Sequence, residues 1–243
     1  MQKTFLPALL LLAGVATANE TAHWGYTGDT GPENWAQLTP ENASCSGKNQ
    51  SPINLAGFTE ADLPPIEFNY GNSSSKEVLN NGHTIQVNYT SGDTIKVDSI
   101  QFALKQFHFH APSENHINGK SFPMEAHLVH KDSTNDIAVV ALMFEEGAAN
   151  PELEKVWAEM PADADTVDAL DTQVDASKLL PQNRDYYRFN GSLTTPPCTE
   201  GVRWIVMKQP VTASKEQIEK FAHVMHHPNN RPVQATNARP VLQ

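Results

Sequence analysis

The sequence predicts a sheet-dominated α+β domain, and three observations lead to that prediction. Strand-like alternation of apolar and polar residues recurs along the chain, turn dipeptides separate the alternating segments, and helical periodicity is confined to two short stretches. At 243 residues and 39% hydrophobic content, the chain has enough apolar side chains for one large core. We therefore expect a single domain in which hairpins bring antiparallel strands together.

The individual elements follow from local patterns. Residues 85–89 and 95–97 alternate as half-buried strands, and four more apolar segments predict central strands: 101–110, 124–130, 137–144 and 202–207. Residues 151–160 predict a short helix, and Ser214 with Gln217 resembles a capping box that starts a second one. Residues 162–177 are acidic and rich in alanine, which predicts a solvent-exposed loop.

The first residues have the pattern of a signal peptide. Lys3 precedes an apolar run over residues 6–15, and Ala16-Thr17-Ala18 resembles a small-residue cleavage site. We expect residues 1–18 to be removed and residues 19–243 to form the domain of an exported protein, periplasmic or secreted. A retained N-terminal anchor is the alternative. No later segment approaches the ~20 apolar residues of a membrane span, so we expect no membrane insertion of the mature chain.

Net charge and cysteine content restrict the partners and the compartment. The formal net charge of -11 argues against nucleic acid and anionic membrane surfaces as partners. The chain has two cysteines, Cys45 and Cys198. In an oxidising compartment two cysteines are more often one disulfide than two free thiols, so export predicts a Cys45–Cys198 bridge.

A histidine pattern in two predicted strands indicates a metal site. Side chains alternate along a strand, so His108 and His110 share one face with Gln106. His127 follows after seventeen residues, enough for a turn and a return strand, and Glu125 shares its face. Three imidazoles with polar neighbours predict a catalytic zinc site with an open fourth position. The alternative is a set of half-exposed histidines with ordinary hydrogen-bond partners.

Six motifs occur in order along the chain, and two of them contain this histidine pattern. They are His23-Trp24-Gly25-Tyr26, Asn49-Gln50-Ser51-Pro52, Asn80-Asn81-Gly82-His83, Gln106-Phe107-His108-Phe109-His110, Glu125-Ala126-His127-Leu128-Val129-His130 and Gly191-Ser192-Leu193-Thr194-Thr195-Pro196-Pro197-Cys198. In this order the chain resembles an α-class carbonic anhydrase of the exported bacterial type. The resemblance implies a single domain around a large, mainly antiparallel twisted central sheet with a few short peripheral helices.

The resemblance also implies the reaction and the roles of the site residues. Zn²⁺ held by His108, His110 and His127 would carry hydroxide that attacks carbon dioxide and yields bicarbonate. Gln106 and Glu125 would support the ligands, and Thr194 with Glu114 would orient the hydroxide. The matching substrate-binding positions are Thr194, Thr195, Val129, Val139, Leu193, Val202 and Trp204. The matching positions along the proton-path water are Tyr26, Asn81 and Gln86.

His83 matches the family's proton shuttle, and the kinetics give this position a physical reason. Each hydration releases one proton, and direct release to water is slow when the donor has a pKa near 7. Imidazole is the side chain whose ordinary pKa lies near neutrality, so a histidine relay permits fast turnover. Without the other motifs, His83 would be an ordinary turn histidine.

Three other functions stay open at this point. The same site would also hydrolyse activated esters as a side activity. A catalytically silent carbonic-anhydrase-like binding module would keep the fold, although such modules typically lack one or more zinc ligands. A periplasmic zinc-holding protein would have a closed site or a histidine-rich tract. Similar bacterial proteins are commonly homodimers, but no segment of this sequence marks an interface.

Overall fold

The computed structural model of the protein describes residues 23–71 and 74–243, so the expected signal peptide over residues 1–18 lies outside the described residues. Within that part of the chain, thirteen strands form one eleven-stranded sheet and a separate pair of short parallel strands. In chain order they are β1 Asn54–Leu55, β2 Glu67–Asn69, β3 Ser75–Asn80, β4 Ile85–Tyr89, β5 Thr94–Val97, β6 Ile100–His110, β7 His116–Ile117, β8 Met124–Lys131, β9 Ile137–Glu146, β10 Thr166–Ala169, β11 Tyr186–Ser192, β12 Glu200–Met207 and β13 Val211–Ala213.

The helices are short and peripheral. They are α1 Trp35–Leu38, α2 Pro151–Ala158 and α3 Lys215–Met225, with 3₁₀ turns at Gly28–Thr30, Pro40–Ser46 and Ala176–Lys178. The predicted capping box of α3 is present, because the Ser214 hydroxyl accepts from the Gln217 N–H and the Gln217 side chain accepts from the Ser214 N–H. Among the described residues, every helix is too short or too polar to cross a membrane.

The large sheet is mixed, and most of its strand pairs are antiparallel. Its main path runs in the order β10, β3, β4, β6, β8, β9, β12, β11. β9 pairs in parallel with β12 and with β13, whereas the central pairs of β6 with β4 and β8 are antiparallel. This arrangement confirms the predicted sheet-dominated fold, with a few parallel pairs that the sequence patterns did not indicate.

Strand alternation separates the core from the site. Phe107 and Phe109 in β6 are fully buried in the larger apolar cluster, and Phe109 packs against Phe221 of α3. His108 and His110 lie on the opposite face of the same strand, because side chains alternate. The register of β6 with β8 pairs His108 with His127, so the strand pairing itself brings the third imidazole beside the first two.

The prediction of a solvent-exposed loop over residues 162–177 is wrong for part of that segment. Residues Thr166–Ala169 form β10, which pairs with β3 at the edge of the sheet. Leu170, Val174 and Ala176 are buried in the larger apolar cluster. These apolar side chains cover the core. They are widely spaced among acidic residues, so the sequence shows no regular apolar pattern over this segment.

Candidate active site

Three histidines converge on the open face of the central sheet. One ring nitrogen from each of His108, His110 and His127 lies within 4.8 Å of the other two. The rings pack edge-on or tilted, with centroids 4.7–5.3 Å apart. Adjacent strands β6 and β8 hold all three from rigid backbone, which is a suitable support for a metal site.

Each imidazole uses its second nitrogen to bind an oxygen of the protein. The pairs are His108 Nδ1 with Gln106 Oε1 at 2.8 Å, His110 Nδ1 with the backbone oxygen of Asn229 at 2.7 Å, and His127 Nε2 with Glu125 Oε1 at 2.9 Å. Each partner oxygen is an acceptor, so the ring nitrogen bonded to it must be the donor. The ring proton of each neutral histidine is therefore on this outer nitrogen. The inward nitrogens then carry free lone pairs.

The charge state of the rings also fits a metal site. Burial lowers the pKa of His108 and of His127 well below the ordinary value, and neighbouring imidazoles lower both further. Burial also lowers the pKa of His110, whose inward Nε2 is buried with no hydrogen-bond partner. Three neutral imidazoles with convergent lone pairs are a ligand set that suits zinc.

Glu125 links the ligand strand to the segment that follows His110. Its two carboxylate oxygens accept four N–H groups, from His127, from the backbone of Glu114 and from the backbone and side chain of Asn115. Burial raises the pKa of Glu125, and the Asn115 bonds oppose that shift. The carboxylate is therefore fixed in orientation against the His127 ring, as metal-binding histidines usually require.

Glu114 lies beneath the histidines, next to Thr194. Its carboxylate accepts the Arg231 backbone N–H at 2.8 Å, and its second oxygen is buried 3.5 Å from His110 Nε2. Burial raises the pKa of Glu114 well above the ordinary value, and the bonds from Arg231 and Thr194 oppose this shift. Thr194 is itself buried at the base of the cleft.

An apolar wall bounds one side of the cleft. A cavity of about 250 Å³ is lined by His108 and His127 together with Val129, Val139, Leu193, Thr194, Thr195 and Trp204. The Trp204 ring lies 4.8 Å from the His127 ring, and its indole N–H donates to the Ser192 oxygen. Val202 does not line this cavity but is buried in the apolar cluster behind the wall.

Polar side chains bound the other side of the cleft. A cavity of about 120 Å³ is lined by His108 and His110 together with Trp24, Tyr26, Asn81, His83, Gln86 and Thr195. The Asn81 side chain accepts from the backbone of His83 and Thr84, which holds the turn that carries His83. Gly82 in this turn has a φ of 77°, a conformation that glycine adopts without strain.

The His83 ring stacks on Trp24 with a centroid distance of 3.6 Å. Burial in this position, together with nearby His23 and His227, lowers the pKa of His83 to about 4, while Asp165 opposes the shift. The expectation that this ring titrates close to neutrality therefore does not hold for the stacked position. A ring facing the open cleft would regain hydration, and its pKa would rise.

Sequence reasoning missed Asn229 and Arg231. Asn229 accepts from His110 through its backbone oxygen, and its side chain bonds Ala111 N and the carbonyl oxygens of His83 and Phe109. The buried Arg231 guanidinium binds the Gln50 side chain and the carbonyl oxygens of Ser51 and Cys45. No local pattern marks a backbone acceptor 119 residues away, so only the fold reveals this support.

Cys45 and Cys198 form the predicted disulfide, which spans 153 residues. Cys198 follows Thr194 by four residues, and its carbonyl accepts from Gln50. The bridge thus restrains the segment that carries Thr194.

We expect the double variant Cys45→Ser/Cys198→Ser to unfold about 10 °C below the wild type. Loop closure of this length is worth roughly 4 kcal/mol in the chain-entropy account, and 1 kcal/mol corresponds to about 2–4 °C at this size. Thermal unfolding followed by circular dichroism measures the difference, with oxidised and reduced wild type as references. A variant that melts within about 2 °C of the oxidised protein would contradict the expectation.

Comparisons with known proteins agree with this geometry. The family model of eukaryotic-type carbonic anhydrase matches residues 30–243. A carbonic anhydrase of Pectobacterium atrosepticum is 49% identical over 244 residues, covering 100% of both chains. The solved α-carbonic anhydrase of Thermovibrio ammonificans, in complex with the inhibitor sulfanilamide, superimposes with a TM-score of 0.89 at 54% identity, covering 91% of this chain and 99% of that one.

The fold, the three convergent imidazoles and these matches together define the class of protein. The chain belongs to the eukaryotic-type, or α, carbonic anhydrase family. Members of this family are lyases that hydrate carbon dioxide, so the protein is an enzyme, a lyase of this family.

Proposed function

We propose that this enzyme is a zinc-dependent catalyst of the reversible hydration of carbon dioxide to bicarbonate and a proton. The observation that supports it best is the convergence of three neutral imidazoles between an apolar and a polar wall. His108 and His110 would hold the metal through Nε2, and His127 through Nδ1. When bound, zinc lowers the pKa of a water ligand to about 7 and so supplies a hydroxide nucleophile near neutral pH.

Thr194 and Glu114 orient the reacting oxygen. We infer that the Glu114 carboxylate accepts a hydrogen bond from the Thr194 hydroxyl, so that the hydroxyl oxygen presents its lone pairs to the cleft. This fixed direction aims the nucleophile at the carbon. Positioning of this kind lowers the activation barrier because the reacting groups are already oriented before the reaction. The Thr194 backbone N–H would donate a hydrogen bond to the oxygen on which negative charge develops.

The apolar wall binds carbon dioxide. The molecule is small and has no net dipole, so a surface without strong hydrogen-bond donors is the suitable contact. Val129, Val139, Leu193 and Trp204 provide it beside His127, Val202 supports the wall from behind, and Thr195 lies at the border with the polar side. Bicarbonate is charged and well hydrated, so it leaves this surface readily.

His83 carries the proton away from the cleft. Tyr26, Asn81 and Gln86 share the polar cavity with it and order the intervening water. Support comes from the position of His83 at the rim of this cavity, on a turn fixed by Asn81. The relay takes one proton from cleft water and passes it to a buffer base outside.

His83→Ala is expected to reduce the turnover number for hydration about tenfold or more in weak buffer, because the relay group is lost while the metal ligands are intact. General acid–base groups typically contribute 10²–10⁴-fold, and buffer replaces part of that contribution. Stopped-flow hydration with increasing imidazole concentration measures the effect. Added imidazole should restore turnover, and a loss that imidazole leaves unchanged would assign His83 another role.

The pH profile of hydration tests the proposed function as a whole. We expect kcat/KM for carbon dioxide to rise along one sigmoid with a midpoint near 7, in samples that contain one zinc per chain by elemental analysis. A protein that holds one zinc without turnover would be the silent binding module. Fast turnover in a sample free of zinc would contradict the metal assignment.

We also propose that the protein is exported, to the periplasm or outside the cell. The Cys45–Cys198 disulfide supports this, because such bridges persist in oxidising compartments. Its partner is a small molecule, carbon dioxide or bicarbonate, and the net charge of -11 disfavours nucleic acid. Assembly as a homodimer stays a prediction that size-exclusion chromatography with light scattering would test.

A further inference from the structure

The half-buried position of His83 poses an electrostatic problem for a proton relay. The titratable groups around its ring are His23 and Tyr26 from the N-terminal segment, His227 from the segment after α3, and Asp165 from the segment before β10. His23 and His227 both disfavour a protonated His83. Among these neighbours, Asp165 carries the one charge that favours it.

Strand register places Asp165 beside the His83 turn. β10 runs antiparallel to β3, and Thr166 pairs with Asn80. Asp165 is therefore the next residue outward, at the level of Asn81, where β3 leads into the turn. The backbone of Asp165 has a φ of 59°, in the left-handed region that aspartate tolerates better than most residues.

The segment before β10 is attached to this turn. The Asn80 side chain donates to the carbonyl oxygens of Pro161 and Ala162 at 3.3 and 3.4 Å. On the other side, a Cβ built on Gly82 would lie 3.6 Å from the Ala164 Cβ, an ordinary contact distance. The acidic segment over residues 162–165 is therefore packed against the rim of the cleft.

We propose that Asp165 stabilises the protonated form of His83 and so sustains proton release from the cleft. Asp165 acts through His83 and touches neither substrate nor metal ligand. The proton moves from cleft water to the His83 ring and then to a buffer base, and the carboxylate of Asp165 stays ionised throughout. This inference rests on the proposed role of His83 as the relay.

The proposal predicts a specific kinetic signature. Steps between carbon dioxide and bicarbonate determine kcat/KM, whereas proton release limits kcat in weak buffer. Loss of the Asp165 charge should therefore lower kcat alone. At low ionic strength a nearby exposed charge changes the proton affinity about two- to fivefold, and salt should reduce the effect because Asp165 is exposed.

The test compares Asp165→Asn with Asp163→Asn, which removes the same charge two residues away in the same exposed segment. The His83 ring is titrated by NMR, and hydration is followed by stopped flow in weak buffer. We expect Asp165→Asn to move the His83 midpoint to lower pH and to reduce kcat two- to fivefold with kcat/KM unchanged. Asp163→Asn should resemble the wild type.

Three outcomes would overturn the inference. An unchanged His83 midpoint in Asp165→Asn would show that the carboxylate does not act on the ring. Equal effects of the two variants would indicate general surface charge. Full turnover of His83→Ala in weak buffer would instead show that His83 is not the relay, which is a failure of the proposed function. The NMR midpoint of His83 distinguishes the two failures, because it reports the effect of Asp165 on the ring independently of turnover.

Discussion

His108→Ala is expected to reduce zinc affinity more than 100-fold and to bring carbon dioxide hydration close to the uncatalysed rate. Loss of an outer hydrogen-bond partner already costs 10–100-fold in metal affinity, and loss of a ligand should cost more. His108 is the suitable ligand to replace because it is half-buried at the floor of the cleft, so its removal leaves Gln106 facing water. Zinc affinity is measured by competition with a chelator of known affinity, and turnover by stopped flow.

His223→Ala is the matched control for this experiment. His223 is exposed on α3, and the α3 side chain Phe221 packs on the sheet face opposite to the ligands. The control makes the same chemical change and should keep both zinc and turnover. A His108→Ala protein with one tightly bound zinc and wild-type turnover would exclude His108 as a ligand.

Thr194→Val is expected to lower kcat/KM for hydration about 10²–10³-fold with zinc content unchanged. Valine keeps the shape of threonine and removes the hydroxyl that we propose donates to Glu114, so orientation of the nucleophile is lost while the ligands stay in place. Removal of one oriented hydrogen-bonding group from a catalytic site typically costs this much.

Thr194→Ser separates the hydroxyl from the rest of the side chain. Serine retains the hydroxyl and loses one methyl group, so we expect activity within about tenfold of the wild type. Zinc content and thermal unfolding of both variants exclude metal loss or unfolding as the cause. Equal activity of the valine and serine variants would contradict the role assigned to the Thr194 hydroxyl.

Much of the site could be predicted from the sequence because it lies on strands. Side-chain alternation in β6 and β8 places His108, His110 and His127 on one face, and the structure brings their nitrogens together. Alternation also places Gln106 and Glu125 next to their histidines. These relationships depend on spacing within a strand, which a sequence records directly.

Features that depend on distant segments could not be predicted in this way. The acceptor for His110 is a backbone oxygen of Asn229, and any residue type has such an oxygen. The acidic segment over residues 162–177 resembled a loop because its apolar residues are sparse, although Leu170, Val174 and Ala176 cover the core. The lowered pKa of His83 likewise follows from its partial burial against the N-terminal segment, where its ring stacks on Trp24, about sixty residues away in the chain.

The most direct test of a zinc-dependent hydratase is stopped-flow hydration of carbon dioxide by one preparation in three states: as purified, after removal of metal with a chelator, and after return of one equivalent of zinc. We predict fast turnover that disappears with the metal and returns in proportion to the zinc added. Turnover that persists in the metal-free protein, or a protein that binds one zinc and stays inactive, would contradict the account.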